Sequence, residues 1–343
     1  MKREGEKRLV GLIIGGLVLG LWLIVGPGCD TGPRTFRETR SLMGTYVTIT
    51  IQAGSREKAA RAVEAGFSEV ARLEKLLSTW RDDSELSRVN AEASEGPVKV
   101  SMEVLELSNK ALDIARMTDG AFDPTMGPLI KLWNVTRRSA PPAQKEIDAA
   151  GRTVGYKDVV IEHGTIRFLK RGMSFDLGGI AKGYTADRVV SILKSLGIHS
   201  GIVAVAGDVK VFGGGLRESP WRVGIKDPRN EGLAASVELS DRPVSTSGDY
   251  ERYFVSEGKR YHHLLSPETG FPAEGLMSVS IIHPKAVMCD GLATGLFVLG
   301  PERAFRKLED LNLAGVIIDG EGKLSVSPAA KDVVRLEGNQ EDN

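Results

Sequence analysis

Cysteine is almost absent. Cys29 and Cys289 are the only two among 343 residues. If Cys29 carries a lipid, Cys289 stands alone and no structural disulfide is possible, so an exported chain of this kind relies on its core. Net charge is also absent: 45 basic side chains balance 45 acidic ones. With no dense basic patch, nothing suggests a nucleic-acid partner. There is no internal repeat and no matched Cys/His cluster of the sort that closes a zinc site. Glycine has no strict period either, which excludes collagen and linker. The 40 glycines, about 12% against a usual share of about 7%, imply turns and close backbone approaches instead. What is present is an ordinary globular composition, 41% hydrophobic and 26% charged, on a length that suits one large domain or two intimate subdomains.

The N-terminus carries the clearest organisational signal. Lys2, Arg3, Lys7 and Arg8 precede Leu9–Val25, which has no charge. This is the pattern of an export signal, borderline in length for a spanning helix. The Gly26-Pro27-Gly28-Cys29 junction resembles a bacterial lipoprotein processing site; an uncleaved signal anchor is the alternative. The expected layout is a signal or anchor at 1–28, a polar tether at 29–40, a folded domain at 41–337 and a disordered tail at 338–343.

Periodicity places the elements. Thr45–Gln52 alternates as a strand, and Ser55–Trp80 spaces Val63, Phe67, Val70, Leu73 and Leu77 as an amphipathic helix. Further helices are expected at 101–118, 179–196, 291–299 and 301–311. Strands are expected at 158–161 and 165–169, then at 202–206, 209–212, 221–225, 235–239, 252–256, 260–265, 277–282, 313–318 and 323–326. Without a clean βαβ alternation, the fold class is α+β: two intimate subdomains of mixed and antiparallel sheet with packed helices.

Phe175-Asp176-Leu177-Gly178-Gly179-Ile180-Ala181-Lys182-Gly183 is the densest chemical signal. An acid that follows an expected strand precedes two glycines that open a helix, whose free N–H groups and dipole suit an anion. Lys182 follows one turn in. The alternative is a tight turn with a surface lysine. Asp290 and Thr294 stand four apart, on one helix face, and offer the hard oxygens that Mg2+ prefers. Taken alone, a helix cap and an inward-packed threonine explain them better. Ser245–Asp249 is a hydroxyl-rich loop suited to phosphate, ribose or plain turn chemistry. Of His262 and His263, adjacent on a strand, only one can face a site. Trp80 suits stacking on an aromatic ligand, or core burial.

Taken in order, these segments resemble one family, the FAD:protein FMN transferases of the ApbE lipoproteins. The resemblance runs from about Met43 to about Gly300. It includes Met43-Gly44-Thr45, Leu77–Trp80 with Ser84 and Asn90, Gly120–Thr125, Asp176–Gly183, Ala206-Gly207-Asp208, Ser245–Tyr250, His262–Gly270 and Asp290–Thr294. It implies an ApbE-like, T-fold-related fold, FAD as substrate, and Mg2+ on its pyrophosphate. FMN would pass to a threonine hydroxyl of an acceptor, and AMP would leave. Acceptors would be subunits of membrane electron-transfer complexes, met at the outer face of the inner membrane. The implied metal ligands are the Gly179 carbonyl, Asp290 and Thr294. The implied flavin or adenine contacts are Met43, Trp80, Ala121, Phe122, Asp123, Asp176, Lys182 and Leu265. Asp176 and His263 are candidates for proton transfer. The chain departs from the family pattern at Ala206, Lys182 and Ser266, which leaves FAD hydrolysis, or flavin binding without turnover, as alternatives.

Overall fold

The computed structural model describes residues 34–215 and 219–337. The expected signal or anchor at 1–28, Cys29 and the tail at 338–343 lie outside the described residues. Eight strands form the main sheet in the order β1 (Arg34–Leu42), β2 (Thr45–Ala53), β6 (Gly201–Val205), β7 (Asp208–Phe212), β10 (Pro243–Gly248), β13 (Leu276–Ile282), β14 (Ala314–Asp319) and β15 (Leu324–Val326). Three smaller sheets join β3 (Val98–Lys99), β5 (Thr165–Phe168) and β4 (Val159–Glu162); β11 (Tyr253–Ser256) and β12 (Lys259–His262); and β16 (Val334–Leu336), β9 (Leu233–Leu239) and β8 (Trp221–Lys226). Every pairing between these strands is antiparallel.

The helices are α1 (Arg56–Leu77), α2 (Glu85–Glu92), α3 (Met102–Met117), α4 (Gly127–Trp133), α5 (Gln144–Gly151), α6 (Gly178–Ser195), α7 (Ala286–Leu299) and α8 (Pro301–Asp310). The elements cluster as one compact unit, an α+β arrangement as expected. Among the described residues, no helix is long and apolar enough to cross a membrane.

The local physics is visible in β2 and α1. Val47, Ile49 and Ile51 have no exposed surface, because alternate strand positions face the core. Ser55 caps α1 by accepting from the Lys58 N–H, and Val63, Phe67, Val70, Leu73 and Leu77 are all buried. Truncating Phe67 to Ala would remove about 3–5 kcal/mol of stability. Helix α6 packs between α1 and α7, and α7 lies over β10 and β13. This sandwich positions the site.

Several expectations need correction. The tether does not reach residue 40: Arg34–Leu42 is an edge strand. Its outer side is solvated, so it needs no apolar alternation, and its charges blunt the edge. Arg40 there pairs with Glu64 and lies over the Phe67 ring. Helix α1 ends at Leu77, three residues early. No strand precedes Asp176; Asn90 holds that extended segment instead, through bonds to the Phe175 N–H and carbonyl. The second hairpin strand ends at His262, not 265. Helices α2, α4 and α5 and strands β3, β10 and β16 have no counterpart among the expected elements; Ser245–Gly248, expected as loop, pairs within the main sheet as part of β10. Helix α7 begins at Ala286, five residues before the expected start. Asp290 is therefore inside the helix and is not its cap.

Candidate active site

The first turn of α6 opens the site. Its N-cap, Leu177, makes no side-chain capping bond, and with the Ile180 and Ala181 N–H groups held by the Leu177 carbonyl, the Gly179 N–H is the first-turn amide left for a ligand. The Gly178 N–H donates to Asp176 Oδ1 at 2.8 Å. A Cβ placed on Gly179 would lie 3.0 Å from the Phe122 ring and 3.4 Å from Thr294 Oγ1. Glycine there lets α6 approach α7 until the Gly179 backbone and the Thr294 hydroxyl are neighbours. Ser247 Oγ, from β10, lies 3.2 Å from Thr294 Oγ1.

One turn further in, Lys182 Nζ stands 2.8 Å from Asp290 Oδ1 and 2.7 Å from Asp208 Oδ2. The Gly183 N–H donates to Asp290 Oδ2 at 3.0 Å. Both carboxylates are 2% exposed. Burial, and then the neighbouring Asp208, push Asp290 up to about 6, against the opposing pull of Lys182. Burial disfavours the Lys182 charge too, but Asp208 and Asp290 together overcome it and hold the ammonium above its ordinary range. Two carboxylates share one ammonium, so the ionised cluster carries net negative charge in a dry place. Such a cluster favours a further cation. Its available donors are a carbonyl, hydroxyls and carboxylates, which suit Mg2+ better than a soft metal. Among the described residues, no group of three or more His, Cys, Asp or Glu could hold a metal alone. A cation here would therefore need ligand or water oxygens as well.

Asp176 and His263 occupy the other side. Asp176 is half-buried and accepts a weak 3.3 Å bond from Thr79 Oγ1 as well as the Gly178 bond. Burial raises its pKa, opposed by those two bonds and by the Arg252 charge. His263 Nδ1 is buried with no hydrogen-bond partner. Burial, then Arg252, His262 and Lys182, depress the imidazole to about 3. It is neutral at pH 7. Three of those causes are positive charge or its proximity, which an arriving anion would offset. His262 is structural: its Nε2 bonds the Ala273 carbonyl at 2.9 Å, its Nδ1 accepts from the Leu264 N–H, and its ring meets Phe297 edge-on.

The remaining predicted residues divide. Trp80 is 67% exposed, so it is not core, and it follows the Thr79 that bonds Asp176. Met43 sits in the β1–β2 turn at φ 54°, with its Sδ accepting from Thr185 Oγ1 of α6. Ala121 is half-buried, and Phe122 borders Gly179. Asp123 is engaged internally: its oxygens accept from Thr125 and from the Tyr156 N–H, so its carboxylate shapes the turn that presents Ala121 and Phe122. Leu265 packs in a satellite core with Met126, Leu129 and Trp133.

Sequence reading passed over four residues. Asp208 was visible only as part of the Ala206-Gly207-Asp208 turn, Ser247 only as part of a hydroxyl-rich loop. Arg252, whose charge reaches both Asp176 and His263, carried no signal. Neither did Asp187, which accepts from the Ala286 and Val287 N–H groups at the start of α7.

The chain is similar to known proteins in sequence and in fold. The model of the ApbE family matches residues 43–317. The FAD:protein FMN transferase of Treponema pallidum (strain Nichols) is 34% identical, with 94% of this chain and 95% of that one covered. Its counterpart from Escherichia coli (strain K12) is 33% identical over 91% and 95%. Among solved structures, the ApbE protein of Thermotoga maritima superposes with a TM-score of 0.81 at 34% identity, covering 87% of this chain and 98% of that one. The flavin transferase ApbE of Vibrio cholerae gives 0.81 at 29% identity, covering 88% and 99%.

Proposed function

The chain belongs to the ApbE family, and from that premise we propose that it transfers FMN from FAD to a threonine hydroxyl of an acceptor protein, with Mg2+ bound, and releases AMP. The observation that carries the reading is the buried Asp208–Lys182–Asp290 cluster, with the Gly179 backbone and Thr294 brought together at the first turn of α6. The Gly179 carbonyl, Asp290 and Thr294 would hold the metal. When bound, it supplies positive charge for the pyrophosphate and for the AMP that leaves.

The chain's own residues do the rest. The Gly179 N–H and Lys182 bind and orient phosphate oxygens. Trp80 offers a ring face for the flavin or adenine. The threonine oxygen attacks the FMN phosphorus, and the bond from that phosphorus to the bridging oxygen breaks. The bridging oxygen departs with AMP. The hydroxyl proton goes to Asp176 Oδ2 or to His263 Nδ1. Asp176, with its raised pKa, is the better base before substrate binds. His263 gains basicity as substrate anions offset Arg252 and Lys182.

The N-terminal pattern supports an exported protein held at the outer face of the inner membrane, through lipid on Cys29 or an uncleaved anchor. Its acceptors would be electron-transfer subunits at that membrane. The test is AMP release from FAD and Mg2+ with and without an acceptor subunit. Transfer predicts release that depends on the acceptor. Equal release in both mixtures would assign the chain to FAD hydrolysis, and no release in either would leave a flavin-binding protein.

A further inference from the structure

Three elements, β7, α6 and α7, meet twice. At the site they supply Asp208, Lys182 and Asp290, an ammonium between two carboxylates. Behind it the same elements supply the inverse pattern. Lys210 of β7 pairs with Asp187 of α6. Asp187 Oδ1 and Oδ2 accept from the Ala286 and Val287 N–H groups of α7, each at 3.1 Å. Here a carboxylate lies between an ammonium and the positive end of a helix, a favourable match. Helix α7 has no other side-chain cap, because Lys285 at its N-cap position makes no capping bond. Lys210 is two residues from Asp208, so both project from one face of β7. Asp187 lies one helical turn beyond Gly183, where the helices touch. A Cβ on Gly183 would collide with the Ala286 carbonyl and lie 2.9 Å from Asp290 Cβ.

We propose that Asp187 is a positioning residue for the metal and phosphate site, a clasp that keeps α7 in register on α6 once a cation takes Asp290. The inference rests on the Mg2+ reading. Asp290 is tied to α6 through Lys182 and the Gly183 N–H. A cation on Asp290 repels the Lys182 ammonium and weakens that tie. The Asp187 bonds use no group the cation needs, so they persist. Ala286 and Val287 sit one turn before Asp290 and two before Thr294, and pinning their amides fixes the rotation of the helix face that bears both.

The test uses Mn2+ as the probe on the purified full-length chain, with free Mn2+ read by electron paramagnetic resonance. Asp187→Ala should weaken Mn2+ binding by about 10-fold or more, the usual cost of losing a residue that supports a metal ligand. Asp187→Asn, which keeps one acceptor oxygen for the amides, should lose less and so restore part of the affinity. Hydrogen exchange at residues 286–290 should quicken in Asp187→Ala and stay near wild type in β2. A folded Asp187→Ala protein that binds Mn2+ within twofold of wild type would overturn the clasp. If that variant does not fold, unchanged affinity and unchanged exchange in Asp187→Asn would overturn it equally. A wild-type chain that binds no Mn2+ contradicts the metal reading, and the clasp with it; wild type and variants binding alike contradict the clasp alone.

Discussion

The two sides of the site are built on opposite principles. Around Asp290 every charge has a partner: two buried carboxylates, one ammonium and a backbone amide are locked by three elements. Around Asp176 and His263 the groups are underused. His263 Nδ1 has no partner, Asp176 keeps only weak or local bonds, and Trp80 lies open beside them. Holding a cation and a pyrophosphate needs fixed charge that costs no reorganisation, whereas moving a proton needs a group whose protonation can change. The closed side suits the first task, the open side the second.

The largest expected effect breaks the closed side. Asp290→Ala should lower AMP release and flavinylation by at least about 100-fold, beyond the loss typical of residues that only support a metal ligand. It should also destabilise the fold, since Lys182 loses a buried partner. Activity within tenfold of wild type in a folded Asp290→Ala protein would show that the cluster is structural only.

Next come the proton-handling residues. At least one of Asp176→Ala and His263→Ala should cost about 100-fold or more, within the range of general acid–base catalysis, and the variant that does identifies the proton acceptor. Wild-type rates in both variants would remove the open side from the chemistry. FAD binding should also raise the His263 pKa from about 3 toward its ordinary 6.5, read by NMR of labelled histidine; an unmoved titration would mean that the anion does not approach it.

Trp80→Ala should weaken FAD binding by roughly 5- to 100-fold if the exposed ring stacks on the ligand. Its melting temperature should stay close to wild type, because the ring is not part of the core. An unchanged affinity would return Trp80 to the surface.

The two sides also differ in how stability follows pH. His263 is depressed in the folded state, so between pH 6.5 and about 3 the unfolded chain binds more protons. Its contribution is present above that window and is lost on acidification. Asp290 is raised, so the folded chain holds more protons between pH 3.8 and about 6, and stability falls as pH rises through that window. The two trends oppose each other. His263→Gln should therefore lose less melting temperature than wild type on going from pH 6.5 to 4. An identical fall would mean that His263 is not held neutral by its surroundings.

The smallest effect tests the turn that presents Asp208. Ala206 has φ 54°, a conformation that costs a residue with a Cβ about 1–2 kcal/mol. Ala206→Gly should gain up to about 1 kcal/mol after the entropy of glycine in the unfolded chain is set against it. A loss on denaturant melting would show that the turn is not strained.

Local signals were legible in the sequence where local physics decides. The alternation of β2, the 3.6-residue face of α1 and the glycines opening α6 could all be read directly. So could the ordered motifs that carry the family resemblance. What stayed hidden depends on distant partners. The start of α7 is set by Asp187, 99 residues away from Ala286, so local pattern places the helix start too late and leaves Asp290 looking like a cap. The edge strand β1 buries little and so resembles a tether. Asp208 acquires meaning only when β7 brings it to Lys182.

The central claim, that a threonine hydroxyl receives FMN, is tested most directly by intact-mass and peptide mass spectrometry of a co-expressed electron-transfer subunit, with this chain present or absent. The account predicts one FMN, joined through its phosphate to a threonine, only when the chain is present. The adduct should disappear with Asp290→Ala. AMP formation from FAD with no FMN on any acceptor threonine would contradict it.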